Sequence, residues 1–284
     1  MCKLLISYRG AILIFPFMFL LISCSSSNDS RASIQPAISE QLAPILNADH
    51  RSDANKARDQ YRHPASTLEW FEVESDMTVV EIFPGGGWYT EILAPYLKDR
   101  GRLYAAGTDP KSLSSFSRNS AQLFQAKMAS NSVYKNVIVT VLAPPEQLDI
   151  APPESADRVL TFRNIHNWMK AGTAEHVFAA MYRALKPGGI LGVVEHQGNP
   201  DVPQDPKASN GYVNKEYAIK LAEKTGFLFM GASNINGNPK DTKDYPKGVW
   251  TLPPTFAMKD VDRAKYEAIG ESDRFTMKFM KPLN

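Results

Sequence analysis

Three consecutive glycines, Gly85, Gly86 and Gly87, follow at once on the apolar, β-branched run 78–83 and lead into the helix-patterned stretch 89–97. Glycine has more backbone freedom to lose than any other residue, so three together interrupt any regular element. The segment VVEIFPGGGWYTEIL therefore reads as strand, glycine turn, helix, with the acid Glu81 inside the apolar run. Such a unit lets main chain come close to a ligand and aims a helix N-terminus at it. A tight turn in a parallel sheet carries the same pattern, and the spacing alone does not separate the two.

The remainder of the chain repeats this alternation. Strand-like runs at 102–106, 137–142, 158–162, 190–194 and 227–231 are interleaved with helical patterns at 113–128, 174–185 and 215–225. A last run, 274–280, alternates Phe275, Met277 and Phe279 with Thr276 and Lys278, as a half-buried strand does. Strands alternating with helices imply one α/β domain with a parallel sheet covered on both faces. Upstream, 49–63 is charged and helix-compatible and is broken at His63-Pro64, because the residue before proline is pushed out of the helical region. Ser66 then offers a cap for a short helix bearing Leu68, Trp70 and Phe71. Between the sixth and seventh strands lies a long stretch, 234–272, rich in Pro, Gly, Asp and Lys. A connection of this length inside one domain is expected to cover a site, and Trp250, Phe256 and Tyr266 argue that it packs.

The first residues follow another logic. Lys3 and Arg9 give a basic start, 11–22 is almost wholly apolar, and Leu21-Ile22-Ser23-Cys24 precedes a run of serines. The apolar run is shorter than the ~20 residues of a membrane span and suits an export signal. Leu-Ile-Ser-Cys resembles the lipobox of bacterial lipoproteins, which implies cleavage before Cys24 and its lipidation. The expected organisation is a signal peptide at 1–23, a flexible tether at 24–48 and a folded domain at 49–284. The protein would be exported and anchored to a membrane on the periplasmic side of the bacterial envelope. The only cysteines are Cys2 and Cys24. Their use in the signal and anchor excludes disulfides, cysteine–zinc sites and thiol nucleophiles from the mature domain. Removing 1–23 takes two bases and no acid, so 30 basic residues face 30 acidic ones. A charge near zero gives no general field for nucleic acid.

Polar residues collect where ligands of open α/β sheets bind, at the carboxyl ends of the strands. Glu81 and the glycines close the first strand, and Asp109 lies beyond the second. Arg163, Asn164, His166 and Asn167 follow the fourth, and Glu195 and His196 end the fifth. Together with ADRVLTFRNIHNW, RALKPGGILGVVEH and the terminal DRFTMKFMKP, this order resembles class I S-adenosylmethionine-dependent methyltransferases, in an uncharacterised predicted-methyltransferase branch. The resemblance covers about residue 49 to the C-terminus. It implies a Rossmann-like seven-stranded, mostly parallel sheet with helices on both faces and the last strand antiparallel. It also implies S-adenosylmethionine as cofactor, lined by Glu81, Gly85, Gly86 and Gly87, walled by Trp88 and Tyr89, with Asp109 on the ribose and Asn164 nearby. His166, His196 and Glu195 are the expected catalytic groups, His for its near-neutral titration, with Tyr89 as a further candidate base. Leu185-Lys186-Pro187-Gly188-Gly189 reads as a glycine helix stop before the fifth strand.

Three positions depart from that pattern. Phe83 stands where the first glycine of the loop usually lies, Gly107-Thr108 precede Asp109, and Ala143-Pro144-Pro145 replace an acidic adenine contact for which Glu146 could substitute. A nicotinamide oxidoreductase fits poorly, because G-x-G-x-x-G fails at Thr90. No G-x-S-x-G elbow or HExxH spacing occurs, and no metal is expected. The methyl donor is made in the cytoplasm, which sets an exported protein apart from its supply. The alternative to an enzyme is thus a retired methyltransferase fold serving as a membrane-anchored binding or scaffold module. Neutral charge and the long covering stretch favour a small-molecule acceptor over nucleic acid.

Overall fold

The period-two pattern of the strands is realised in the computed structural model, which describes residues 37–283; the expected signal peptide at 1–23, Cys24 and the expected tether up to residue 36 lie outside them. Four helices come first: α1 (Ile38–Leu46), α2 (Asp53–Lys56), α3 (Asp59–Arg62) and α4 (Pro64–Trp70). Then follow β1 (Thr78–Ile82), α5 (Thr90–Leu97), β2 (Arg102–Gly107), α6 (Ser115–Ser130), β3 (Ile138–Val141) and β4 (Ala156–Phe162). The chain continues through α7 (Ile165–Ala171), α8 (Ala174–Ala184), β5 (Leu185–His196), α9 (Lys215–Lys224) and β6 (Leu228–Ser233), and ends with α10 (Arg263–Ile269) and β7 (Arg274–Met280).

The seven strands form one sheet in the order β3-β2-β1-β4-β5-β7-β6. Neighbours from β3 to β5 are parallel, while β7 runs antiparallel to both β5 and β6. This is the expected Rossmann-like α/β architecture, with helices on both faces. Alternate residues divide between two cores. Val80, Ile82, Val159, Leu191 and Val193 pack with Trp168 of α7, Val177, Phe178 and Met181 of α8 and Leu221 of α9. Val79, Leu103, Leu160 and Val194 face the other way, onto Leu42 of α1, Leu68 of α4 and Ile92, Leu93 and Leu97 of α5. Burying such side chains contributes about 1.5–3 kcal/mol each. Strand order reverses between β1 and β4, so the loops after these strands diverge and open a crevice.

Local details correct the sequence reading. The tether expected through residue 48 gives way to α1, where Ile38, Leu42, Ile45 and Leu46 form a helical apolar stripe and Leu42 is buried. Ser66 lies inside α4, which starts at Pro64; a first-turn proline loses no helical hydrogen bond. The glycines of Leu185–Gly189 do not stop α8. The helix ends at Ala184 and Leu185 is already extended, pairing with Ala156 across a bulge, because Pro187 bars the helical conformation just ahead of it. Between 234 and 272 the chain includes a 3₁₀ turn, Gly248–Thr251, and α10.

Candidate functional site

The glycine turn keeps its tight path despite Phe83. Phe83 itself adopts φ +46°, followed by +58° at Gly85 and +74° at Gly87. Left-handed backbone at a bulky non-glycine residue is strained by about 1–3 kcal/mol. The Phe83 ring is held by Trp168, 6.3 Å away between centroids, and its amide donates to Ala106 O at 2.8 Å. A Cβ on Gly85 or Gly86 would meet no atom within 4 Å, whereas one on Gly87 would press on Lys127 and Phe124. The first two glycines thus border open space and the third serves packing.

That space comprises two cavities above the carboxyl ends of the strands. The larger, about 730 Å³, lies over β1, β2 and β3 and is lined by Gly85, Asp109, Leu142, Ala143 and a row of α6 serines. Ser114 caps α6 by accepting from Ser117 N, and Ser117 and Ser120 follow at helical spacing on the same cavity. Asp109 is half-buried and accepts from the Lys111 amide at 2.8 Å. The smaller, about 350 Å³, lies between the glycine turn and the ends of β4, β5 and β7. Phe83, Pro84, Gly85 and Asn164 line both, so a thin seam of main chain and one amide separates them. Both volumes are in the range of small-molecule sites.

Period two puts Glu81 on the Val79 side of β1, facing α5. It is 2% exposed, and Thr90 Oγ1 donates to its Oε2 at 2.6 Å. Burial raises its carboxyl to about 7, against the opposing effects of the Thr90 bond and Lys127. Asn164 ties β1 to β4 by donating from Nδ2 to Ile82 O at 3.0 Å and to Thr161 Oγ1 at 3.2 Å. Trp88 and Tyr89 wall the smaller cavity. The Trp88 indole donates to Asn55 O at 3.0 Å, and the Arg62 guanidinium lies over its ring. Tyr89 stacks on Phe162 with 3.5 Å between centroids, and burial pushes its hydroxyl up to about 12, which leaves it protonated and unsuited as a base.

His166 opens α7 and His196 ends β5, so the topology brings them together across Glu195. His166 Nδ1 lies 3.0 Å from Glu195 Oε1, and the His196 amide donates to that same oxygen at 2.8 Å. His196 Nδ1 is 2.6 Å from Ser272 Oγ. Burial, then His166 and Arg274, hold His196 well below the usual imidazole range, so it is neutral at pH 7. Glu195 is wholly buried and anchors the His166 ring through Nδ1–H, which leaves Nε2 as the nitrogen able to take a proton. These three are the group of metal-ligand type among the described residues, with one atom from each within 4.8 Å of the others. Glu195 is already engaged in that network, and Arg274, Arg163 and Arg62 act on His196 against any further positive charge.

Residues 80–193 match the family described as Methyltransferase domain. No curated protein matches the chain. Among solved structures, a SAM-dependent methyltransferase from Aquifex aeolicus superposes with TM-score 0.53 at 15% identity, covering 79% of this chain and 93% of its own. A putative sarcosine dimethylglycine methyltransferase from Galdieria sulphuraria gives 0.53 at 14%, covering 85% and 91%, and the [4+2]-cyclase SpnF gives 0.56 at 13%, covering 87% and 94%. The fold is class I methyltransferase-like. The domain match supports S-adenosylmethionine as the cofactor.

Within that methyltransferase-like fold the expected residues separate. Gly85 and Asp109 border the larger cavity. Glu81, Gly86, Trp88 and Tyr89, expected around the cofactor, line only the smaller one. Gly87 lines neither. Glu146 is exposed and does not reach the larger cavity; Ala143 and Pro144 do. His166, His196 and Asn164 line the smaller cavity, with Glu195 beneath the histidines. The connection after β6 roofs it with Val249, Trp250, Pro253, Pro254 and Thr255. The sequence reading missed Arg58, Arg62, Ser272 and Arg274, which come from segments far apart in the chain; only the dense charge of 49–63 could have drawn attention to the first two.

Proposed function

We propose that this chain is an S-adenosylmethionine-dependent methyltransferase for a small molecule, with the donor in the larger cavity and the acceptor in the smaller. The observation that carries this reading is the seam at Phe83, Pro84, Gly85 and Asn164, where the two cavities meet across bare main chain. The larger cavity fits the donor: it has open space beside Gly85, apolar walls at Leu142 and Ala143, and the Asp109 carboxylate beyond β2. When bound, the cofactor supplies a methyl group already activated by its sulfonium. The chain's own part is to hold the acceptor in line and to take its proton. His166 would take that proton on Nε2. Glu195 holds the ring and stabilises the charge it gains. Titration calorimetry of the full-length protein with S-adenosylmethionine is expected to show one binding event. Absence of heat together with an unchanged melting temperature would leave only the retired-fold reading.

The N-terminal segment adds export and lipid anchoring through Cys24 to this proposal, resting on the basic start, apolar run and Leu-Ile-Ser-Cys order. Among the described residues no helix is long and apolar enough to cross a membrane. A Cys24→Ala variant is expected to move from the membrane fraction to the soluble fraction of envelope extracts. Equal membrane retention would remove the anchor.

A further inference from the structure

Four guanidinium groups converge on the smaller cavity: Arg58 and Arg62 at α3, Arg163 just past β4, and Arg274 at the start of β7. One ionised carboxylate, Glu271, serves three of them. It accepts from Arg58 Nε at 2.5 Å, from Arg62 Nε at 3.4 Å and from Arg274 Nη2. Burial alone would raise the Glu271 carboxyl, but Arg274, Arg62 and Arg58 outweigh it and hold it at about 2. The other acids nearby are occupied: Glu81 is raised to about 7 and bonded to Thr90, and Glu195 holds the histidines.

The excess charge is buried at Arg62 and Arg274, half-buried at Arg58 and Arg163, and partly unpartnered. Arg62 and Arg274 are 3% and 2% exposed, and Arg58 Nη2 is buried with no hydrogen-bond partner. The Arg163 side chain makes no hydrogen bond or ion pair with any described residue, although its backbone takes the left-handed φ of +63° that directs it from the end of β4. Burial, and then Arg274, lower the Arg163 guanidinium to about 10, so it stays charged at pH 7. Several like charges in a low-dielectric pocket repel one another, and a buried charge without a partner is costly. The planar forks of arginine suit two-oxygen anions.

Resting on the assignment of this cavity to the methyl acceptor, we infer that the acceptor carries a doubly charged oxyanion, a phosphate monoester or a dicarboxylate, seated against Arg58, Arg62, Arg163 and Arg274. A single negative charge would leave most of the excess uncompensated, whereas a dianion brings the cavity close to neutral. The anionic end on the arginines leaves the rest of the molecule towards His166 and the seam.

The test uses the full-length protein with inorganic phosphate as probe, malonate in a parallel arm, and phosphatidylcholine vesicles with and without phosphatidic acid in a third. Phosphate or malonate is expected to bind the wild type and raise its melting temperature. Arg163→Gln is expected to bind about tenfold more weakly, the loss of one charge-assisted contact, and Arg58→Gln likewise. Binding of S-adenosylhomocysteine should be unchanged in both variants, and Arg163→Gln should melt at or above the wild-type temperature. Arg163-dependent binding to phosphatidic-acid vesicles alone supports the inference and places the oxyanion on a lipid headgroup. Failure of all three probes, or equal binding by wild type and both variants, overturns the inference while S-adenosylhomocysteine binding keeps the transferase reading intact. Anion binding with no donor binding overturns both the acceptor assignment and the transferase reading.

Discussion

Replacing Glu81 by glutamine tests whether the acid buried under the glycine turn stores a titratable cost. In the folded chain the carboxyl is 2% exposed and titrates at about 7, raised from 4.5 chiefly by burial. A raised acid pKa means that the folded state holds the proton more tightly than the unfolded chain. Stability on this account is full below pH 4.5, declines as pH rises, and reaches its floor above pH 7. The shift corresponds to about 3 kcal/mol lost between those limits. Glu81→Gln mimics the protonated side chain and still offers an oxygen to Thr90 Oγ1. At pH 4 the variant and the wild type are expected to unfold at nearly the same urea concentration. At pH 8 the variant should be more stable by ~2–3 kcal/mol, the full pKa shift setting the upper bound. The other ionisable groups are common to both proteins and cancel in the difference. Thr90→Val removes the hydrogen bond that favours the ionised form, so it should move the wild-type transition to higher pH. Parallel stability curves for wild type and Glu81→Gln from pH 4 to 8 would refute the reasoning.

Other perturbations reach the rest of the site. Gly85→Val places a branched side chain at φ +58°, with its Cβ in open space beside the proposed donor site; S-adenosylmethionine binding should vanish while far-ultraviolet dichroism keeps the native signal, and retained affinity would detach the turn from the cofactor. His166→Gln should lower kcat by a factor on the order of 10²–10⁴ with donor affinity unchanged, measured once an acceptor is in hand. Glu271→Gln leaves three arginines without their shared partner and should destabilise the protein by about 3–5 kcal/mol in denaturant at pH 7. Because the folded Glu271 pKa is depressed, the wild-type advantage over this variant is present above pH 4.5 and should fade as pH falls towards 2.

The sheet was legible because its signals are local. The run 274–280 coincides with β7, and the other strands differ from their expected bounds mainly at the ends. The glycine turn, Asp109 and the His166–Glu195–His196 group were legible for the same reason: each follows a strand end, and topology then gathers strand ends at one side. What the sequence hid depends on separation. Glu271 and Arg274 are three residues apart, but Arg58 and Arg62 meet them only through the folded arrangement of the two ends of the domain, so no window of residues shows the whole cluster. The division into two cavities was hidden too. It depends on which way Glu81 and the start of α5 face, and strand parity settles that only once Val79 is known to pack on α5. Helix α7 escaped notice because FRNIHNW is short and weakly periodic.

The two cavities differ in a way that bears on enzyme versus retired module. Around the larger one the polar groups are hydroxyls, amides, the exposed Lys170 and a half-buried aspartate already in a local turn. Around the smaller one Glu81, Arg62, Arg163 and His196 are all pushed by burial towards their neutral forms. Each such group costs stability that an apolar replacement of similar size would restore. A module needing only the fold for adhesion gains nothing from concentrating these costs beside a glycine turn. An active site does, since tuned protonation and unpaired guanidinium forks bind and activate what enters. The melting temperature expected for Arg163→Gln, at or above that of the wild type, is therefore more than a folding control. A variant that gains stability while losing the anion shows the charge held in place against the fold's own preference, and one that loses both would return Arg163 to a structural role.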